Sequence, residues 1–195
     1  MSQPPRFRRY PAEIRATMLV DAGLACLARG GITAFTVDNI CRQANTSRGL
    51  ITHHFGSKDG LLAAVYARAY QPMLENLAHS PDLATLIDQV FADYGNLNVW
   101  LALWGQIATN PALQTEHRKN YALYRATVAR AIHDLATQRG LNIDAPELAT
   151  TLIALVDGLW LEHSIDPDQM SPARAKTACR ALLEPLLGPL PGPKP

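Results

Sequence analysis

Apolar residues recur at three- and four-residue steps along most of the chain, and no stretch alternates every second residue with the β-branched richness of a strand. That restricts the chain to helices packed on helices, with Pro and Gly as punctuation. A first helix is predicted from Pro11, where Glu13 meets the positive end of the helix dipole, to Gly30-Gly31. Ile14, Met18, Ala22 and Cys26 mark its apolar stripe. A second runs over Val37–Ala44 behind Thr36 as N-cap, a third starts after Ser47 and ends near Phe55, and a fourth runs from Ser57 to about Leu77. Beyond a hinge at His79-Ser80-Pro81, helices are expected at Asp82–Tyr94, Val99–Ala108, Gln114–Arg139, Ala145–Ser164 and Ser171–Leu187, with Pro185 bending or ending the last. The expectation is an all-α fold of about nine helices. It divides into a basic arm (1–10), a three-helix head (11–60), a larger body (61–187) and a disordered Pro/Gly-rich tail (188–195).

Composition narrows the class. Of 195 residues, 48% are hydrophobic and 18% charged, the balance of an ordinary globular protein. No uninterrupted apolar run approaches the roughly 18 residues that span a bilayer, and residues 1–10 lack the pattern of a signal peptide, so no membrane partner is expected and the cytoplasm is the expected location. The three cysteines, Cys26, Cys41 and Cys179, show neither disulfide nor zinc spacing; Cys26 and Cys41 fall on apolar helix faces. No GxSxG elbow, HExxH, phosphate loop or metal-ligand cluster occurs, so neither catalytic residues, metal nor cofactor are expected. His117, His133 and His163 are scattered, and the adjacent His53 and His54 cannot face one ion from a helix. The net charge of +1 hides an asymmetry: residues 1–60 carry +4 and the rest −3. Such a head suits a polyanion.

Residues Thr36–Phe55 carry the strongest signal: two short helices joined by Asn45-Thr46, each with an N-cap, as in a helix-turn-helix. Asn45 tolerates the left-handed conformation such a turn requires. With Ile51 and Phe55 turned inward, a step of about 100° per residue sends Gly49 and His53 outward, flanked by Leu50 and Thr52, with Arg48 on one shoulder. Thr and His can bond base edges, Arg guanine or phosphate, Gly admits close approach, and Leu50 can touch a thymine methyl. Ser47, Ser57, Lys58 and Thr36 stand at helix starts, where free N–H groups favour phosphate. Arg8 and Arg9 can follow the backbone or enter the minor groove, or belong to a solvated tail.

The stretch from Phe35 through Leu62 resembles the TetR-family DNA-binding domain. The resemblance is carried by Ala44-Asn45-Thr46-Ser47-Arg48-Gly49, by His53-His54-Phe55, and by Ser57-Lys58-Asp59-Gly60-Leu61-Leu62. Two departures matter: Asn45 replaces the family's turn Gly, and Thr52 replaces a Tyr that would contact phosphate. The resemblance implies a homodimer reading a near-palindromic double-stranded operator, with an effector that tilts helix four and changes the separation of the heads.

In the body, Tyr66, Tyr70, Phe91, Tyr94, Trp100, Trp104, Tyr121, Tyr124 and Trp160 concentrate the aromatic residues. Trp100 and Trp104, Tyr121 and Tyr124, and Asp157 and Trp160 are each spaced to share a helix face. They read either as core or, with Phe91, as an aromatic-lined site with an acid in its wall, suited to an apolar or cationic molecule. Asp157 interrupts an apolar run and needs a partner, whether a ligand or an arginine such as Arg125 or Arg130. Trp100–Trp104, Asn110-Pro111-Ala112-Leu113, Leu155–Leu161 and the head segment Leu50–Gly56 are similar to the choline-responsive repressors of the betaine pathway. That resemblance implies choline or another small amine as effector. Leu152, Ile153, Val156, Leu159 and Trp160, with Ala178, Leu182, Leu183, Leu186 and Leu187, offer either a four-helix dimer interface or the monomer's own core. The competing classes are an architectural DNA binder without an effector and an all-helical enzyme acting on a small amine.

Overall fold

Most helices open where the sequence supplies a side-chain oxygen. In the computed structural model, which describes residues 11–79, 82–91 and 97–191, the elements are α1 (Ala12–Ala34), α2 (Val37–Gln43), α3 (Gly49–Phe55), α4 (Lys58–His79), α5 (Leu83–Val90), α6 (Leu97–Ile107), α7 (Pro111–Gln138), α8 (Ala145–Ile165) and α9 (Pro172–Leu187). Thr36 accepts the Asn39 N–H at 3.2 Å, Ser57 that of Gly60 at 3.0 Å and Asp82 that of Thr85 at 2.8 Å. Asn110, Asp144 and Ser171 do the same for α7, α8 and α9. Each bond satisfies a donor that the first helical turn leaves open.

Several boundaries depart from expectation. α3 opens one residue late, behind Arg48, which makes no side-chain capping bond; Ser47 contributes its carbonyl, 3.2 Å from the Leu50 N–H. α7 begins at Pro111 rather than Gln114, because Asn110 caps it and Pro suits a first turn. α5 ends at Val90, and Tyr94, like Ser80 and Pro81 of the expected hinge, lies outside the described residues. α9 continues through Pro185 to Leu187. α1 is interrupted where the sequence reading ended it: Gly31 has φ 60° and ψ −153°, a conformation open essentially to glycine, so Ile32–Ala34 forms a separate turn.

The helices form two compact units. The first comprises α1–α3, α4 up to Ala69, and Asn98–His117. Leu19, Cys26, Leu27, Phe35, Ile40, Ile51, Leu61, Val65 and Tyr66 fill its core. Tyr66 is held edge-on to Trp100 and within 2.7 Å of His117 Nδ1, so His117 is a paired histidine. Ile14, expected on the buried stripe of α1, is exposed.

The second unit comprises residues 70–97 and 118 onward. α8 lies against α9 in its core, with Leu152, Ile153, Val156 and Leu159 meeting Cys179, Leu183 and Leu187. Of the two readings of these faces, most of the residues take the second, being buried within the chain's own core, and of them Leu186 is exposed. The outward faces carry Ala154, Gly158, Leu161 and Ile165 on α8 and Ala181 and Leu186 on α9. By length and mean hydropathy α8 is also apolar enough to cross a membrane, the profile of a helix that packs into a core.

The tail corrects one expectation. Arg139 donates to the carbonyls of Leu187 at 2.5 Å and Pro189 at 2.7 Å, and Arg180 to those of Leu190 at 3.2 Å and Pro191 at 2.7 Å. The Leu190 N–H donates to Glu184, and the Leu190 side chain is buried. Residues 188–191 are therefore ordered, and 192–195 lie outside the described residues.

Candidate DNA-reading face and ligand residues

α2 and α3 meet through the turn the sequence provides. Asn45 adopts φ 47°, and the Thr46 N–H bonds the Cys41 carbonyl at 2.9 Å, turning the chain out of α2. Ile51 is the buried residue of α3, while Gly49, Thr52 and His53 are exposed and Leu50 half-exposed. The structure thus brings Gly49, Leu50, Thr52 and His53 to the outward side of one short helix. Thr36, Ser47, Arg48 and Lys58 are exposed at the helix starts around it. Arg8 and Arg9 lie outside the described residues.

Three features of this face were not anticipated. Asp38 of α2 holds the Arg48 guanidinium at 2.5 Å, with both side chains largely in solvent, so phosphate or guanine must compete with a carboxylate for Arg48. Asp38 stands ten residues from Arg48, and only the folded turn joins them. Nε2 of His54 and Nε of Arg15 are shielded from solvent with no hydrogen-bond partner among the described residues. Burial, and then the charges of His53 and Arg15, hold the His54 imidazole below its usual pKa. Gly60 is the third: a methyl group there would lie 2.1 Å from the Phe55 carbonyl oxygen, so the first turn of α4 rests directly on the end of α3.

The seven candidate ligand residues divide between the units. Trp100 and Trp104 belong to the first; Phe91, Tyr121, Tyr124, Asp157 and Trp160 belong to the second. Phe91, Tyr124 and Trp160 are buried, Phe91 and Tyr124 within the hydrophobic core. Tyr121, Tyr124 and Asp157 come together. Tyr121 donates its hydroxyl in a short hydrogen bond to Asp157, and its ring meets Tyr124 edge-on with centroids 5.9 Å apart. The Arg125 guanidinium stands 5.0 Å from the Tyr121 ring centroid, so Arg125, rather than Arg130, faces the acid's partner. Burial pushes the Asp157 carboxyl above the usual carboxylate range, opposed by the Tyr121 bond and the Arg125 charge. Burial likewise raises both phenols, with the Asp157 bond adding to the shift of Tyr121. A half-buried acid with one phenol bound and further acceptor capacity attracts a cation. A separate cleft of about 820 Å³ is lined by Leu83, Arg130, Arg139 and Leu190, and by none of the candidate ligand residues.

Two family models match the chain: the bacterial regulatory proteins of the tetR family over residues 19–65, and the BetI-type transcriptional repressor C-terminal domain over residues 80–188. The chain belongs to the TetR family, with a BetI-type body. The HTH-type transcriptional regulator BetI 2 of Chromohalobacter salexigens is 31% identical to this regulator over 189 residues, covering 89% of each chain. BetI of Burkholderia mallei is 29% identical over 191 residues, covering 91% of this chain and 95% of its own. Among solved structures, a transcriptional regulator of Pseudomonas aeruginosa PAO1 is 33% identical with a TM-score of 0.81, covering 93% of this chain and 94% of its own. A regulator of Saccharomonospora viridis, solved in complex with choline, shares the fold at 24% identity and a TM-score of 0.72, over 89% and 97% of the two chains. This TetR-family protein is a DNA-binding transcriptional repressor rather than an enzyme. Members of the family bind DNA operators and act as dimers with small-molecule effectors.

Proposed function

We propose that this repressor works in the cytoplasm as a homodimer that reads a near-palindromic operator with α3 of each protomer and is released by a small organic cation, choline or a close relative. Residues 11–60 serve as the reading head, preceded by the arm with Arg8 and Arg9, and 61–187 as the sensing and dimerising body. The observation that carries the DNA reading is the division of α3: Ile51 turned in, Gly49, Thr52 and His53 turned out. Thr52 and His53 contact base edges, Leu50 a methyl group, and Thr36, Ser47, Arg48 and Lys58 the phosphates. Two heads one helical turn of DNA apart require two protomers, and the small and apolar residues facing outward on α8 and α9 suit that contact. The cation reading rests on the Tyr121–Asp157 pair, an aromatic ring joined to a half-buried acid, and on the BetI-type body. The choline held by a protein of the same fold agrees with it. α4 and α7 each supply residues to both units and are covalent routes by which the body acts on the head.

The test is titration against the DNA upstream of the protein's own gene, in fixed salt, with excess unrelated duplex. Binding that survives the competitor, and is reversed by millimolar choline or betaine aldehyde, is expected. Binding that the competitor abolishes favours the architectural reading. Thr52→Ala and His53→Ala should each reduce discrimination among operators by about 1–3 kcal/mol. Lys58→Ala should weaken all duplexes equally. Unchanged operator preference in both α3 variants would sink the assignment of the reading face.

A further inference from the structure

Tyr121 already has a cation on its ring. Arg125 lies four residues further along α7, and its guanidinium stands 5.0 Å from the ring centroid. The hydroxyl of the same ring is bound to Asp157 on α8. Phenol, carboxylate and guanidinium therefore form one cluster built from two helices. An aromatic face attracts any cation, and a half-buried carboxylate strengthens the attraction. Arg125 is exposed, so its head group can leave the ring for water without uncovering the core. One face beside one carboxylate does not hold two positive groups.

We propose that Arg125 is an internal occupant of the effector's cation position, standing on the Tyr121 ring in the empty protein and displaced when an ammonium ligand binds. The proposal rests on the reading of Tyr121 and Asp157 as the effector site. An occupant of this kind lowers apparent affinity in proportion to the time it holds the position; occupancy of about nine tenths weakens binding about tenfold. Arg125 thus sets the concentration at which the repressor responds and selects ligands whose cation outcompetes a guanidinium for the ring.

The experiment compares the full-length protein with Arg125→Ala, Arg125→Lys and, as a charge-matched control, Arg130→Ala. Tetramethylammonium and choline are titrated calorimetrically into each. The Tm of each is also measured in low-millimolar guanidinium chloride against equal sodium chloride. Arg125→Ala should bind both ammonium ions at least threefold more tightly than the wild type. Arg125→Lys, which keeps a cation on the ring, should stay near wild type, and so should Arg130→Ala. Free guanidinium should refill the vacated position and raise the Tm of Arg125→Ala alone. Equal ammonium affinity in wild type and Arg125→Ala, or a guanidinium response shared by all four proteins, overturns the proposal. If no protein binds an ammonium ion but guanidinium still stabilises Arg125→Ala selectively, the internal occupant stands and the amine effector falls.

Discussion

Gly60 has no room for a side chain. A methyl group would meet the Phe55 carbonyl oxygen, a backbone atom, at 2.1 Å. Gly60→Ala is expected to cost about 2–3 kcal/mol in urea unfolding, the usual size of an overpacking strain. It should also weaken DNA binding, since Phe55 ends the reading helix. Asp157 has a different signature. Its folded carboxyl lies above the unfolded value of 3.8, so the folded state holds the proton more tightly. The resulting stabilisation is present below pH 3.8 and is lost as pH rises through the folded pKa. Asp157→Asn removes this contribution. Stability series from pH 3.5 to 8 should show the wild type losing ground to the variant as pH rises; parallel curves would refute the assignment. The cysteines follow their sequence reading where one was made: Cys26 and Cys41 are buried, and Cys179, which sequence alone did not place, is buried too, its thiol pushed up to about 11.

At the level of elements, what was legible was local. Apolar period and capping oxygens act within one or two turns, so α2, α4, α8 and α9 open within a residue of expectation. Ser47 misled because an N-cap residue type does not ensure a capping bond; its carbonyl was used instead. The tail misled for the opposite reason. Gly188-Pro189-Leu190-Pro191 has the composition of a loose end, yet Arg139, 48 and 50 residues away from the carbonyls of Leu187 and Pro189, bonds both. No local rule reports a partner at that separation. Leu190→Ala should therefore cost about 2–3 kcal/mol, as loss of a buried leucine does, and Arg139→Ala about 1 kcal/mol. Hydrogen exchange at the end of α9 should rise in both. Unchanged exchange would show that the clasp does not hold α9.

For the whole molecule, the outward stripe of α8 is the surface proposed above for assembly. Ala154→Arg places a charge among Gly158, Leu161 and Ile165, and should convert the proposed dimer to monomer in sedimentation while leaving helicity intact. Operator binding should fall with it; a dimer that survives the charge must use another surface. The geometry of the head was more legible than the Tyr121–Asp157 pairing for a physical reason. Helix-turn-helix geometry is set by contiguous residues, whereas Tyr121 and Asp157 meet across 36 residues and two helices, and spacing along one helix cannot say which neighbour it will face. The same arithmetic left dimer face and monomer core open on α8 and α9, because an apolar stripe does not state what covers it. α3 itself shows what this economy allows. With Ile51 as its buried residue, the helix leaves the positions proposed to meet DNA outside the core. On that proposal, substitutions at Gly49, Thr52 and His53 change which promoter is recognised without endangering the protein that carries them. Duplicated genes of this kind can therefore diverge in the genes they silence while still answering the same chemical signal.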